Sequence, residues 1–333
     1  MCVSGVFDSL TPERILEAVE EETGQSFTGL TTPLPSYINR VYELENYAGE
    51  RLIAKFYRPG RWNRNALKDE HRFLLDCAAK EIPVVAPVIL ENGTSIGIWE
   101  EIHFALFPKR SGREMMLQSD EGWRRLGSLI GRMHAVGLER DAEHRLVMHP
   151  ETTTIPERDQ LVNGGWMSDH ISASFREVVD RIIEIALPLF DDVLLHRIHG
   201  DCHRANILER PGEGLMMIDF DDMVMGPAVQ DLWLLLPGYA QECRREIDLI
   251  LEGYEAFVDF DDRQLRMMEV LRAMRMIYFL AWCSTQTGDY RFQTLFPDWG
   301  SDHFWQREIA DLQKQLHIIE QESYWKGGGG NEY

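Results

Sequence analysis

The chain has 333 residues, 44% of them hydrophobic, and a formal net charge of −21. That length allows about two lobes of roughly 150 residues, and the apolar content is that of a globular protein with a buried core, not of a fibrous or disordered chain. The excess of acid repels phosphate backbones and anionic membranes at long range, which argues against nucleic-acid and membrane partners.

In chain order, Thr11-Pro12-Glu13 opens a helix: Thr11 suits the cap, Pro12 the first helical position, and Ile15, Leu16 and Val19 share a face. Gly24 to Pro35 is rich in breakers and reads as a connection. Ile38 to Leu44 and Arg51 to Tyr57 read as strands around a turn at Asn46 to Glu50. Ala66 to Lys80 reads as a helix, Val84 to Leu90 and Thr94 to Trp99 as strand segments, and Phe104 to Phe107 as a strand ended by Pro108. Beyond Pro108 the periodicity turns helical, with helices expected over Gly122 to Val136, Ile171 to Leu187, Gln230 to Leu236, Glu242 to Phe257, Asp262 to Trp282 and Ser301 to Glu322. A strand pair flanks Pro211-Gly212-Glu213-Gly214. The expected fold is α+β in two lobes: a small sheet-rich lobe over 1–107, a larger helical lobe over 108–326, and a flexible glycine tail over 327–333.

The five cysteines, Cys2, Cys77, Cys202, Cys243 and Cys283, are scattered and form no CxxC pair, which fits reduced thiols in a cytoplasmic protein. The N-terminus lacks a basic segment followed by an apolar core. The longest apolar run, Met276 to Cys283, is too short to span a bilayer. The expected state is a cytoplasmic monomer.

The run His199-Gly200-Asp201-Cys202-His203-Arg204-Ala205-Asn206 carries the most chemical information. Four residues separate Asp201 from Asn206, and twelve separate Asn206 from Asp219. Asp, four residues, Asn, a short hairpin, then Asp is the spacing of a phosphoryl-transfer centre. In such a centre Asp201 orients an attacking hydroxyl and takes its proton late. The amide oxygen of Asn206 and the carboxylate of Asp219 hold magnesium on the nucleotide phosphates. Singly, Asp201 and Asp219 read as loop caps; the joint spacing with Asn206 favours function.

Lys55 lies within the apolar strand Leu52-Ile53-Ala54-Lys55-Phe56, where a lysine needs an outward path or an anion. ATP phosphates and a helix carboxylate would satisfy it. Glu70 shares the apolar helix face of Phe73, Leu74 and Cys77, so its carboxylate needs a partner, and Lys55 is the natural one. Asp69 is turned away by about 100°. Asp231, ahead of Leu232-Trp233-Leu234, can accept backbone N–H bonds from the catalytic loop or be a plain helix-start charge. His199-x-Asp201-x-His203 could ligate a metal as in metallophosphatases, but a dinuclear centre needs a further histidine- and carboxylate-bearing loop, and none is evident. His199 reads as packing under the loop, and His203 as touching substrate or solvent. Cys202 reads as a small packing side chain, with a redox-sensitive thiol as the sharper alternative.

With these residues assembled, the chain resembles protein-kinase-like phosphotransferases of the aminoglycoside- and choline-kinase branch, and more narrowly the bacterial serine/threonine protein kinases within it. The pieces that carry the resemblance are Ser36-Tyr37-Ile38-Asn39-Arg40-Val41-Tyr42, Lys55-Phe56-Tyr57-Arg58-Pro59, Gly131-Arg132-Met133-His134, His199 to Leu208, Gly226 to Trp233 and Leu271 to Arg275. The resemblance implies that Asp201 is the proton acceptor, that Asn206 and Asp219 bind magnesium, and that Asp219 is also essential for activity. It implies that Ser36 lies in the turn over the ATP phosphates, that Lys55 and Glu70 pair, and that backbone near Phe104 to Phe107 meets adenine. It further implies a protein substrate with a serine or threonine acceptor, autophosphorylation, and a stress-response role.

Departures from ordinary protein kinases are plain. No G-x-G-x-x-G precedes Lys55, Gly200 replaces the arginine of His-Arg-Asp, and Phe220-Asp221 replaces Phe-Gly. Eleven residues separate Asp219 from Asp231, too few for a long activation segment. The same motifs fit a small-molecule kinase acting on an amino alcohol, aminoglycoside or homoserine, and more remotely a nucleotide-binding scaffold.

Overall fold

The structure is a computed structural model and describes residues 7, 9–117, 119–288 and 290–325. Cys2 and the expected tail over 327–333 lie outside the described residues.

The expected change of character near residue 108 is where the sheet gives way to helices. Helix α1 (Pro12–Thr23) starts at its cap, with the Arg14 N–H donating to Thr11 Oγ1. Five strands follow: β1 (Phe27–Leu34), β2 (Arg40–Asn46), β3 (Arg51–Phe56), then, after helix α2 (Arg64–Ala79), β4 (Gly97–Trp99) and β5 (Ile102–Pro108). They form one antiparallel sheet in the order β1-β2-β3-β5-β4. Strand β1 occupies the segment expected to be a mere connection. It holds Pro33, which is tolerated because β1 is an edge strand. Conversely, Val84 to Leu90 forms no strand. Pro83 and Pro87 have no N–H to give a ladder, and the segment makes only single attachments, such as Val88 N–H to the Leu106 carbonyl at 2.7 Å.

The remaining elements are β6 (Arg113–Glu114), α3 (Asp120–Gly137), α4 (Thr154–Asn163), α5 (Asp169–Ala186), β7 (His196–Ile198), β8 (Ile207–Arg210), β9 (Gly214–Met217), β10 (Val224–Gly226), α6 (Gln230–Trp233), α7 (Arg244–Tyr254), α8 (Met268–Thr285), α9 (Tyr290–Leu295) and α10 (Asp302–Trp325). The long expected helices are present within a few residues of their expected ends. The helix expected from Asp262 begins as a 3₁₀ segment, Asp262–Met267, and α6 stops after four residues. The two- and three-residue strands β6, β7 and β10 are too short to give a period of two.

Alternation along β3 decides what each side of the sheet does. Ala54 and Phe56 face α1, packing with Leu44, Phe104, Ile15 and Val19. Lys55 therefore points to the opposite side, where its strand partner Ala105 packs with Tyr57 and Leu67 of α2. Farther along α2, Phe73, Leu74 and Cys77 join the main core with α3, α5, α7 and α8. Helices α3 and α7 approach so closely that a Cβ on Gly127 would lie 1.9 Å from the Ile250 carbonyl oxygen. No described helix is long and apolar enough to cross a membrane.

Among the buried imidazoles, His71 and His196 are pushed toward the neutral form by burial. His71 bonds the Tyr57 hydroxyl at 2.9 Å and Ser95 Oγ at 2.7 Å, and burial pushes its pKa down to about 3. Burial does the same to His196. Both bind fewer protons folded than unfolded, so their contribution to stability is full above about pH 6.5 and fades as pH falls toward 3. Denaturant unfolding should lose up to about 1.4 kcal/mol per pH unit per histidine below pH 6. His71→Gln should flatten that slope; an unchanged slope would show that His71 is not neutral in the fold. Gly127→Ala should cost about 1–3 kcal/mol by overpacking, read as a lowered Tm, and a neutral result would contradict the α3–α7 contact.

Candidate active site

Two short ladders bring the chemical residues together. β7 pairs with β10, placing the loop after Ile198 beside the loop before Val224. β8 and β9 form the expected hairpin, with Ile207 opposite Met217, and the Ile218 N–H donates to the Asn206 carbonyl at 3.0 Å. Asn206 and Asp219 thus start and end one hairpin at the same edge.

The loop from 199 to 206 is held from below by one carboxylate. Asp231 is fully buried; it accepts from His199 N–H at 2.7 Å and Gly200 N–H at 2.8 Å, and bonds His134 Nε2 at 3.0 Å. Burial opposes its charge, but the bond to His134 and the His199 donor more than offset this and hold its pKa low. Of the two readings open for Asp231, anchor and plain helix-start charge, the geometry is that of the anchor. Gly200 has φ 81°, and a Cβ there would lie 2.2 Å from the Asp222 carbonyl oxygen, so the loop needs glycine at this point. His199 packs on Phe220 with ring centroids 4.6 Å apart and bonds the Ile218 carbonyl at 2.9 Å, the structural role expected of it.

Asp201 projects from this loop. Its carboxylate bonds Arg275 Nη2 of α8 at 2.6 Å and lies 3.4 Å from His203 Nε2. Burial pushes its pKa up, yet the His203 bond and the Arg275 charge outweigh burial and bring it down to about 2. A carboxylate so stabilised is a weak base and a firm acceptor, suited to orienting a hydroxyl. Asn206 Nδ2 donates to the Asp201 carbonyl at 3.0 Å, which leaves the amide oxygen as the group able to face a cation. Asp219 is in the left-handed region at φ 60° with its side chain 56% exposed. This conformation is costly for a residue with a Cβ and is often retained where side-chain direction matters.

Lys55 does not pair with Glu70 as expected. Its ammonium lies 3.0 Å from Asp219 Oδ1 and 3.2 Å from Asp221 Oδ1. Burial opposes the charge on Lys55, but those two carboxylates outweigh it and the pKa is raised well above normal. Glu70 instead meets Arg145, whose guanidinium also donates to the Ala66 and Asp221 carbonyls, each at 2.9 Å. A guanidinium can bond three acceptors in different directions, which an ammonium on strand β3 cannot reach. Burial raises the pKa of Glu70 to about 7 despite Arg145. Asp221, at the position where protein kinases have glycine, also takes Arg61 Nη1 at 2.5 Å, and Arg61 reaches on to Asp222. Arg61, Arg145, Asp221 and Arg275 are site residues that motif spacing missed. Their partners are 74 to 166 residues away in sequence, and only the fold brings them together.

Ser36 lies in the turn between β1 and β2, five residues before Val41, which pairs with Lys55. That turn is tied down by Asn39, whose Oδ1 accepts the Arg58 N–H at 3.1 Å, and by Tyr37 against Trp282 of α8, with ring centroids 5.2 Å apart. Cys202 is fully buried, and burial drives its thiol pKa far up, so it is an inert packing group and not an accessible redox sensor. Beside the loop, and bounded by Ile38, Arg61, Gly200, Arg275 and Tyr278, lies a cavity of about 550 Å³.

A loop that presents an acid and an amide, with a second acid across the hairpin from the amide and paired to a buried lysine of the sheet, is the arrangement of a phosphotransferase. Residues 31–268 match the phosphotransferase enzyme family, APH. Over 316 residues, 95% of each chain, the protein is 35% identical to stress response kinase A of Escherichia coli strain K12. It is 34% identical over 314 residues, 94% of each chain, to the serine/threonine protein kinase RdoA of Salmonella typhimurium strain LT2. Its fold is similar to that of the amicoumacin kinase hAmiN in complex with AMP-PNP, Ca2+ and Ami, at a TM-score of 0.69, with 18% identity over 93% of each chain. It is also similar to that of a microcompartment-associated aminopropanol kinase, at a TM-score of 0.65, with 16% identity over 94% of this chain and 97% of the other. The architecture is thus protein-kinase-like, with a sheet-bearing N-terminal part and a helical C-terminal part, and the chain belongs to the phosphotransferase enzyme family.

Proposed function

We propose that this protein is an ATP- and magnesium-dependent kinase that transfers the γ-phosphoryl group to serine or threonine hydroxyls of proteins, its own included. Residues 1–107 serve as the nucleotide lobe and 108–326 as the catalytic and substrate lobe of a cytoplasmic monomer. A role in stress response is supported by the names of the relatives that match along almost the whole chain. The protein acceptor is supported by the name of the Salmonella relative.

The observation that carries the phosphoryl-transfer chemistry is Lys55 at 3.0 Å from Asp219 while Asp201 and Asn206 share one hydrogen-bonded loop. The donor set fits a hard cation: Asn206 offers a neutral oxygen, and Asp219 offers an exposed carboxylate. Asn206 and Asp219 would hold magnesium, which when bound offsets charge on the nucleotide phosphates. Lys55 supplies a fixed cation on strand β3, and Ser36 offers an N–H and a hydroxyl from the turn above it. Asp201, ionised at neutral pH and braced by Arg275, orients the acceptor hydroxyl and receives its proton late. Catalysis on this account is positioning and electrostatic stabilisation.

With labelled ATP and magnesium, phosphoserine or phosphothreonine should form on protein, and Asp201→Asn should lower kcat by about a hundredfold or more. Label found only on a small alcohol would replace this reading with a small-molecule kinase, and undiminished transfer by the variant would remove Asp201 from its role. Because Asp221 rather than Glu70 holds Lys55, Asp221→Asn should weaken ATP binding about tenfold, measured by calorimetry. Glu70→Gln should act mainly on Tm; an equal or larger loss of ATP affinity in Glu70→Gln would restore the Lys55–Glu70 pairing.

A further inference from the structure

The cavity beside Asp201 is unlike a plain apolar hollow at one point of its wall. Glu157, in the first turn of α4, lines it, and the Glu157 Oε2 atom is buried without a hydrogen-bond partner. Glu157 as a whole is half-buried, but this one carboxyl oxygen is shut off from solvent, where an unpaired polar atom is destabilising and normally satisfied. The cations around the cavity are committed elsewhere. Arg61 is held by Asp221 and Asp222, Arg275 by Asp201, and Arg58 donates to Gln286 at 3.1 Å. No described group hydrogen-bonds to Glu157 Oε2, and burial pushes the carboxyl pKa up to about 8. Tyr278, Glu157 and Arg275, the arginine that braces Asp201, line this same cavity. At about 550 Å³ the cavity is of a size that takes an extended side chain or a small ligand.

From these observations we infer that Glu157 is a specificity residue of the acceptor site, which receives the cationic side chain of an arginine or lysine close in sequence to the serine or threonine that is phosphorylated. This rests on the protein-acceptor reading above. The incoming cation gives Glu157 the charge-assisted bond that the chain itself withholds, and it favours the ionised carboxylate. The cavity's apolar wall, including Met148, Leu271 and Met274, takes the methylene stem of the same side chain. The net charge of −21 draws basic segments toward the surface from a distance.

The test uses the full chain with magnesium, ATP and synthetic serine peptides in an alanine context. Each peptide carries one arginine, placed at each position within four residues of the serine, or citrulline at the same position. Citrulline keeps the shape of arginine and removes its charge. At the best position the arginine peptide should have kcat/KM at least about tenfold above its citrulline twin. That ratio should collapse toward one in Glu157→Gln and in Glu157→Leu, whose melting curves establish that they are folded. Phosphorylated peptides with no arginine preference, or a preference that survives in both variants, would overturn this inference and leave the protein-kinase reading standing. Phosphate on an amino alcohol and on no peptide would overturn both.

Discussion

The Lys55 ammonium, lodged between Asp219 and Asp221, is the interaction on which the cleft depends. It ties the third strand of the sheet to a loop 164 residues later, in surroundings dry enough that an unpaired lysine would not be tolerated. The loop it grips is held at several further points. Arg61 takes the other oxygen of Asp221, Arg145 takes its carbonyl, and Asp219 is set in a left-handed conformation. The exposed carboxylate at the mouth of the cleft is therefore aimed both by its own backbone conformation and by the buried Lys55.

The helical part follows the same plan with signs reversed. Asp231 and His134 support the backbone of the loop that carries Asp201, and Arg275 reaches across from α8 to hold the Asp201 carboxylate itself. Asp201 and Asp219 are thus each in contact with a cation supplied by a distant element. This accounts for how so short a path, eleven residues from Asp219 to Asp231, keeps an ordered site without an activation segment. The bracing comes from β3, α8 and the segments after β3 and α3.

Much of this was legible in the sequence. The spacing of Asn206 and Asp219 predicted a shared hairpin edge, because a glycine turn between two apolar runs has few alternatives. Lys55 in an apolar strand and Glu70 on an apolar helix face both announced buried charge. Their pairing was not legible: each found a partner far off in sequence, Lys55 in Asp221 and Glu70 in Arg145. Arginine on a helix or loop looks the same in sequence whether it meets solvent or a carboxylate, so Arg61, Arg145 and Arg275 stayed hidden. Strand β1 was missed because Gly29 and Pro33 mark a connection unless the strand is known to be an edge, which only the sheet order decides. The prolines near Val84 to Leu90 misled in the other direction, since an apolar run says nothing of whether its N–H groups exist.

The central claim is that the lysine and carboxylates of this cleft form a site for a nucleotide carried with a divalent cation. Calorimetric titration of ATP into the full chain, with and without magnesium, tests it most directly. Magnesium should tighten binding at least about tenfold in the unaltered protein, and that gain should vanish in Asp219→Asn. Equal affinity with and without magnesium, or a full magnesium effect in the variant, would contradict the account.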